Sequence, residues 1–357
     1  MEHGTLNLKL HRISSLAGVL IFLTLSLHDA VSQGVKLFEP VPPQKSGVTF
    51  KNVITENRQA NALTHENLYN GGGVAVGDLN NDGLEDIFFI SNMGYNKLYQ
   101  NLGDFKFRDI TRSSGVEGRK GWKTGVTMAD INGDGLLDIY VCFSGKGVPE
   151  GRRNELYINK GNMTFDERAR EYGLDDDTYS TVGAFFDYDL DGDLDMFMVA
   201  TNVIVIRGMD FEEARSVTDP YAGDKLFRND GNRFVDVTLS AGIISNAMGY
   251  GLGVNICDLN KDGWADIYVT NDYIEPDYFY INNKDGTFTN KLTDYIQHIS
   301  QSAMGLEIGD FNNDTWPDIF TADMLPPDNR RIKLLYGPDN YIQYALAVMA
   351  GYYPSSM

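Results

Sequence analysis

The chain has 357 residues, 42% of them hydrophobic, which is enough for a sizeable core, and its 12% aromatic content favours β structure. A formal net charge of −20 at pH 7 argues against nucleic acid or an anionic membrane as a partner. The two cysteines, Cys142 in an apolar run and Cys257 just before an acidic loop, read as small hydrophobes rather than a disulfide.

Lys9 and Arg12 precede an apolar run over 16–27, and Ala30, Val31 and Ser32 then supply a small-x-small pattern. That order is the mark of a secretory signal peptide at 1–32, cleaved after Ser32, and it places the protein outside the cell, in the periplasm or at the surface. The run is too short for an ordinary transmembrane helix, so no span is expected after cleavage; an uncleaved anchor is the alternative. Residues 33–46 contain Pro40, Pro42 and Pro43 and read as an extended linker. The segment GVTFKNV at 47–53 reads as a lone strand, similar to FKFRDIT at 105–111.

From Gly71 a repeat begins. Its centre is DLNNDGLED at 78–86, which returns as DINGDGLLD at 130–138, DYDLDGDLD at 187–195, DLNKDGWAD at 258–266 and DFNNDTWPD at 310–318. Side-chain oxygens stand at positions 1, 3, 5 and 9 of every copy, and position 7 offers its carbonyl. The candidate metal ligands are thus Asp78, Asn80, Asp82, Leu84 and Asp86; Asp130, Asn132, Asp134, Leu136 and Asp138; Asp187, Asp189, Asp191, Asp193 and Asp195; Asp258, Asn260, Asp262, Trp264 and Asp266; and Asp310, Asn312, Asp314, Trp316 and Asp318. Oxygens at this spacing curl a loop around one hard cation, and Ca2+ suits such a loop because it takes about six to eight of them at flexible geometry. Gly at position 6 serves the sharp turn. An EF-hand is not indicated: its position 12 needs Glu, and here that position is Phe89, Val141, Met198, Val269 and Thr321. In the fifth loop Thr315 replaces the glycine, so that site is expected to be the weakest. The third loop, with Asp at all five odd positions, is expected to be the strongest.

Each loop is flanked by short β-rich runs. A glycine-containing strand leads in (73–77, 125–129, 183–186, 253–257, 305–309) and a second strand follows. A third ends in Asn (Asn101, Asn159, Asn229, Asn282), and a fourth begins near Phe105, Phe165, Phe234 and Phe288. Loop-to-loop spacings are 52, 57, 71 and 52 residues. Four short strands in a unit of that length mark an all-β chain built of β-propeller blades. Five blades begin, and the fifth lacks its third and fourth strands, so the ring is expected to be incomplete and the chain truncated at its C-terminal side. Residues 340–353 read as helical.

The glycine-rich strand, the DxNxDGxxD loop and the later Asn-x-Gly-x-Phe turn together resemble FG-GAP, or VCBS, repeats over residues 47–335. Such repeats build the propeller of integrin α chains. The segment ADMLPPDNRR at 322–331 further resembles large secreted bacterial members related to cartilage acidic protein. The resemblance implies a ring of seven or eight blades with calcium in its hairpins.

Function is less sharply written. Strand order puts the metal hairpins at one end of the blades and the longest connections at the other. That second end carries Trp122, Tyr179, Tyr250, Tyr273, Arg152 and Arg153, which are either a ligand patch or ordinary solvated loop residues. The 71-residue spacing comes from an insertion at 203–223, with a helical turn expected at 210–215. His65 and His298 are the histidines after the signal peptide, and neither a Gly-x-Ser-x-Gly elbow nor a His-x-x-x-His pair occurs. Three readings stand: a calcium-stabilised extracellular module that binds protein or glycan, in the manner of adhesion proteins; a purely structural module; and a polysaccharide-active enzyme using a carboxylate pair.

Overall fold

The computed structural model describes residues 37–58, 60, 61, 68–203, 211–273, 275–300 and 302–324. The expected signal peptide, the helical reading of 340–353 and His65 lie outside them. The chain divides into residues 1–45 and 46–357. In the described part of the first, the expected extended linker gives way to a helical turn, Pro43–Ser46. Pro43 opens it, where a missing N–H costs nothing.

The second part is all-β. Four sheets are four-stranded antiparallel meanders in sequence order. Blade one holds β1 (Val74–Gly77), β2 (Asp86–Phe89), β3 (Lys97–Asn101) and β4 (Phe107–Asp109). Blade two holds β5 (Lys123–Ala129), β6 (Asp138–Phe143), β7 (Glu155–Asn159) and β8 (Phe165–Glu167). Blade three holds β9 (Ser180–Phe186), β10 (Asp195–Ala200), β11 (Lys225–Asn229) and β12 (Phe234–Asp236). Blade four holds β13 (Gly251–Cys257), β14 (Asp266–Asn271), β15 (Tyr278–Asn282) and β16 (Phe288–Asn290). The fifth sheet has two described strands, β17 (Ala303–Gly309) and β18 (Asp318–Asp323). Each acidic loop joins the first and second strands of its sheet, with position 9 as the first residue of the second strand. The insertion forms a short helix, Phe211–Ser216, close to its expected place.

The core lies between blades. Successive side chains of a strand point to opposite faces, and the second strand of each central blade uses both. In β6, Ile139 and Val141 pack with Phe88, Ile90 and Leu98 of blade one, whereas Tyr140 and Cys142 pack with Met196, Met198 and Phe227 of blade three. A third cluster joins blades three and four, and a fourth joins Tyr268 and Phe279 of blade four to Leu306, Ile308 and Ile319 of the fifth sheet. Strands β6, β10 and β14 are therefore buried along their whole length. Val74, Val76 and Phe320, in the two end sheets, stay more than half exposed. Both cysteines are free thiols, Cys142 buried and Cys257 half-buried.

The lone strand expected at 47–53 does not form. Those residues instead occupy the place that follows a fourth strand. Gly47 takes φ +77°, and a Cβ on it would lie 2.4 Å from the Phe107 carbonyl oxygen. Gly115, Gly173 and Gly242 have the same left-handed backbone against Phe165, Phe234 and Phe288. The Tyr99 hydroxyl meets the Thr49 amide at 3.2 Å, as the Tyr280 hydroxyl meets Ile244 at 3.0 Å. Segment 47–49 is thus the homologue of 115–117, one step later in the repeat than its sequence suggests.

Candidate metal centre

Each loop is held by its own side chains. In the first, Asp78 accepts the Asp82 amide on Oδ1 (3.1 Å) and the Gly83 amide on Oδ2 (2.7 Å). Asp130, Asp187, Asp258 and Asp310 repeat this pair of bonds. Asp82 in turn accepts the amide of position 7, as do Asp134, Asp191, Asp262 and Asp314. Position 6 has positive φ throughout, from +74° at Thr315 to +101° at Gly192. Position 4 is left-handed too, at Asn81, Gly133, Leu190, Lys261 and Asn313. Leu190 and Lys261 carry no local signal for that conformation, so sequence reasoning missed it.

Position 9 joins the loop to the sheet. Asp86 accepts the Leu79 amide on Oδ2 and the Asn101 amide on Oδ1. Asp138 does the same with Ile131 and Asn159, Asp195 with Tyr188 and Asn229, and Asp266 with Leu259 and Asn282. The recurrence of Asn at the end of the third strand is explained by its side-chain amide. Asn101 and Asn229 donate to the Glu85 and Leu194 carbonyls in their own blades. Asn159 and Asn282 reach the preceding blade's loop, at the Leu79 and Tyr188 carbonyls, both 2.8 Å. Burial pushes Asp138 and Asp195 up to about 7, overriding the opposing pull of those amides.

The third loop is the most concentrated. Carboxylate oxygens of Asp187, Asp189 and Asp195 all lie within 4.8 Å of one another. Oδ1 of Asp189 and Oδ1 of Asp193 are buried with no hydrogen-bond partner. Burial and the Asp191 charge raise the pKa of both. Three carboxylates gathered within 4.8 Å, with one buried Asp189 oxygen lacking a donor, are the kind of donor set a hard cation requires. In the fifth loop Asp318 Oδ1 accepts the Asn312 side-chain amide at 3.4 Å.

The opposite end of the blades differs from its reading. Arg152 is buried, with its guanidinium 4.5 Å from the Tyr179 ring centre and its Nε and Nη1 bonded to the Asp177 and Gly147 carbonyls. It is part of the scaffold, as is Tyr179. Arg153 is exposed and pairs with Asp175. Tyr250 and Tyr273 pack edge to face at 4.9 Å, and Trp122 lines a small cavity with Thr124, Thr181 and Thr201. A larger cavity of about 420 Å3, lined by Ile244, Leu292, Ile296 and Ile299, was not foreseen; its Arg215–Glu275 pair is 2.7 Å apart. Its residues come from four separate segments, so no local pattern marks it.

The FG-GAP-like repeat family matches residues 63–141 and 258–321. Cartilage acidic protein 1 of Xenopus tropicalis is 31% identical over 211 residues, covering 57% of this chain and 29% of that protein. The Homo sapiens protein is 28% identical over 208 residues, with 57% and 28% covered. The chain spans under a third of the length of these relatives. Among solved structures, an Agrocybe aegerita lectin that recognises non-reducing terminal N-acetylglucosamine aligns with a TM-score of 0.41 at 19% identity, over 70% of this chain and 60% of the lectin. The Vibrio cholerae biofilm matrix protein Bap1 aligns at 0.37 and 14%, over 72% and 35%. With matching repeats and blade topology in hand, the chain carries FG-GAP-like repeats over residues 63–141 and 258–321 and is built of four-stranded β-propeller blades.

Proposed function

We propose that this chain is a calcium-stabilised, extracellular binding module of the adhesion type, exported through its N-terminal segment and free of catalytic activity. The carrying observation is the third loop, where the carboxylates of Asp187, Asp189 and Asp195 converge and the buried Oδ1 of Asp189 has no donor. A bound Ca2+ would neutralise carboxylates whose mutual repulsion otherwise opposes hairpin closure. Asp187, Asp189, Asp191 and Asp195 would hold it, with the Asp193 carbonyl, and the other four loops would hold theirs by the same positions. Export is supported by the basic and apolar start of the chain and by its likeness to cartilage acidic protein. No helix among the described residues is long and apolar enough to cross a membrane. Against catalysis, the position-9 carboxylates of the four full blades already bind two backbone amides each, and His298 is an exposed residue without a base's setting.

Calcium titration followed by thermal melting tests the reading. A metal that binds only the folded form stabilises it by RT ln(1 + [L]/Kd). At extracellular affinities of roughly 10⁻⁴–10⁻³ M, millimolar Ca2+ contributes about 0.4–1.4 kcal/mol per site. Chelator should lower the melting temperature by several degrees and Mg2+ should restore little of it. Identical melting curves in all three conditions would refute the metal reading.

A further inference from the structure

Between blades three and four, beside the metal hairpins, lies an open cleft of about 420 Å3. Its walls bring Trp264, Arg228, Lys284, Asp285, Ser240 and Thr287 together. Trp264 stands at position 7 of the fourth loop, a position that offers a metal only its carbonyl. The side chain there is free of the ligand set, and in the other loops it is Leu84, Leu136, Asp193 and Trp316. A half-buried indole on a polar rim is not demanded by the hairpin, and it offers a flat ring beside polar groups. The cleft is not a cationic trap. Arg228 is held by both oxygens of Asp230 (2.8 and 3.1 Å), and Lys284 sits 3.3 Å from Asp262. Asp285, Ser240 and Thr287 add acceptors and hydroxyls, so donors and acceptors are mixed without net positive charge.

From this we infer a saccharide-binding site whose ligand is a neutral, hydroxyl-rich pyranose. One ring face would lie on Trp264 and its hydroxyls would bridge the donors and acceptors of the two walls. A sulfated or uronic chain fits less well, because both cations already have carboxylate partners. An apolar peptide fits less well, because most of the lining is polar. The inference rests on the binding-module reading above and gives it a place and a ligand class.

The test uses the full chain in millimolar Ca2+, titrated with neutral chito-, cello- and xylo-oligosaccharides while tryptophan fluorescence and heat are followed. At least one series should bind and perturb the fluorescence. Trp264→Ala should weaken that binding at least tenfold. So should Ser240→Trp, which fills the cleft from its other wall without touching a loop. Melting in Ca2+, measured in parallel, separates a lost site from a lost fold. Binding that survives both variants, or is lost on Ile296→Asp at the opposite end of the blades, would place the ligand elsewhere: the module reading would then stand and this site would fall. No binding of any neutral series by the native chain, or tighter binding of heparin that Lys284→Ala abolishes, would overturn the assigned ligand class.

Discussion

Blade three and the fifth sheet carry the same nine-residue loop in different surroundings. In blade three, Asp195 is fully buried, β10 is covered on both faces, and Asn229 of the neighbouring β11 donates its amide to the loop. In the fifth sheet, Asp318 is half-buried, β18 mixes half-buried and exposed residues, and the Asn312 side chain donates to Asp318. The first-turn bonds are nevertheless the same in both loops, down to the two amides on Asp187 and Asp310. The difference teaches that the loop shapes itself, whereas the sheet behind it sets how many oxygens are left free for a cation.

Removing one carboxylate from each loop is the sharpest way to break this comparison. Asp191 and Asp314 make equivalent bonds to the amide of position 7 (3.1 and 2.8 Å), so that loss is shared. In millimolar Ca2+, Asp191→Ala should cost about 2 kcal/mol, one hydrogen bond plus one metal site. Asp314→Ala should cost about 1 kcal/mol or less, nearer the hydrogen bond alone. Chelator should erase most of the gap between the two, and equal losses in Ca2+ would show that the sites do not differ.

A second effect cuts the other way, because blade three contains a flaw. The residue just before the third strand is Asn or Asp in every full blade, and it accepts an amide from the end of the second strand in blades two to four. In blades two and four its other end meets a tyrosine hydroxyl, Asn154 with Tyr140 and Asp277 with Tyr268, both at 2.9 Å. In blade three the tyrosine is replaced by Phe197, and Asp224 Oδ2 is left buried without a partner. Blade one has Phe88 in that place and an equally unpartnered Asn96 Oδ1. Burial, aided slightly by the Glu275 charge and opposed by the Ala200 amide, pushes Asp224 up to about 7. A carboxyl with a raised folded pKa favours the fold fully only below its unfolded value, near 4. Its contribution is lost as pH rises towards 7, because over that window the folded state binds the extra proton. Asp224→Asn should therefore be more stable than the native chain by about 1–2 kcal/mol at pH 8, with the gap closing towards pH 4. Denaturant unfolding at the two pH values measures it, and a gap independent of pH would rule out the buried charge as its cause.

The smallest effect belongs to Thr315. A β-branched residue at φ +74° is strained, and its hydroxyl contact with Lys261 is exposed. Thr315→Gly should stabilise the chain by about 0.5 kcal/mol, since relief of the left-handed backbone exceeds the entropy glycine adds to the unfolded state. A melting temperature lowered by that substitution would show that the fifth loop is already relaxed around its threonine.

The sequence by itself determined the repeat, the hairpin loops and the four-strand blade. Their parts are local: within a nine-residue loop Asp at position 1 meets amides four and five residues on, and alternating side chains commit a strand to two faces. Only the tertiary structure decided what lies between repeats. Asn159 reaches the Leu79 carbonyl 80 residues away, and Asn282 reaches Tyr188 94 residues away. Arg152 looks like a solvated loop cation until Tyr179 and two carbonyls close over it. The run at 47–53 looked like a strand because its apolar spacing suits one, but its partners are the Phe107 carbonyl and the Tyr99 hydroxyl, which no local pattern announces. The cleft at Trp264 is of the same kind, with walls from segments dozens of residues apart that meet because each blade packs on the next. Local hydrogen bonds can be read from residue order, whereas burial and the pairing of distant polar groups depend on how the sheets stack, and that stacking decides which carboxylates lose their solvent.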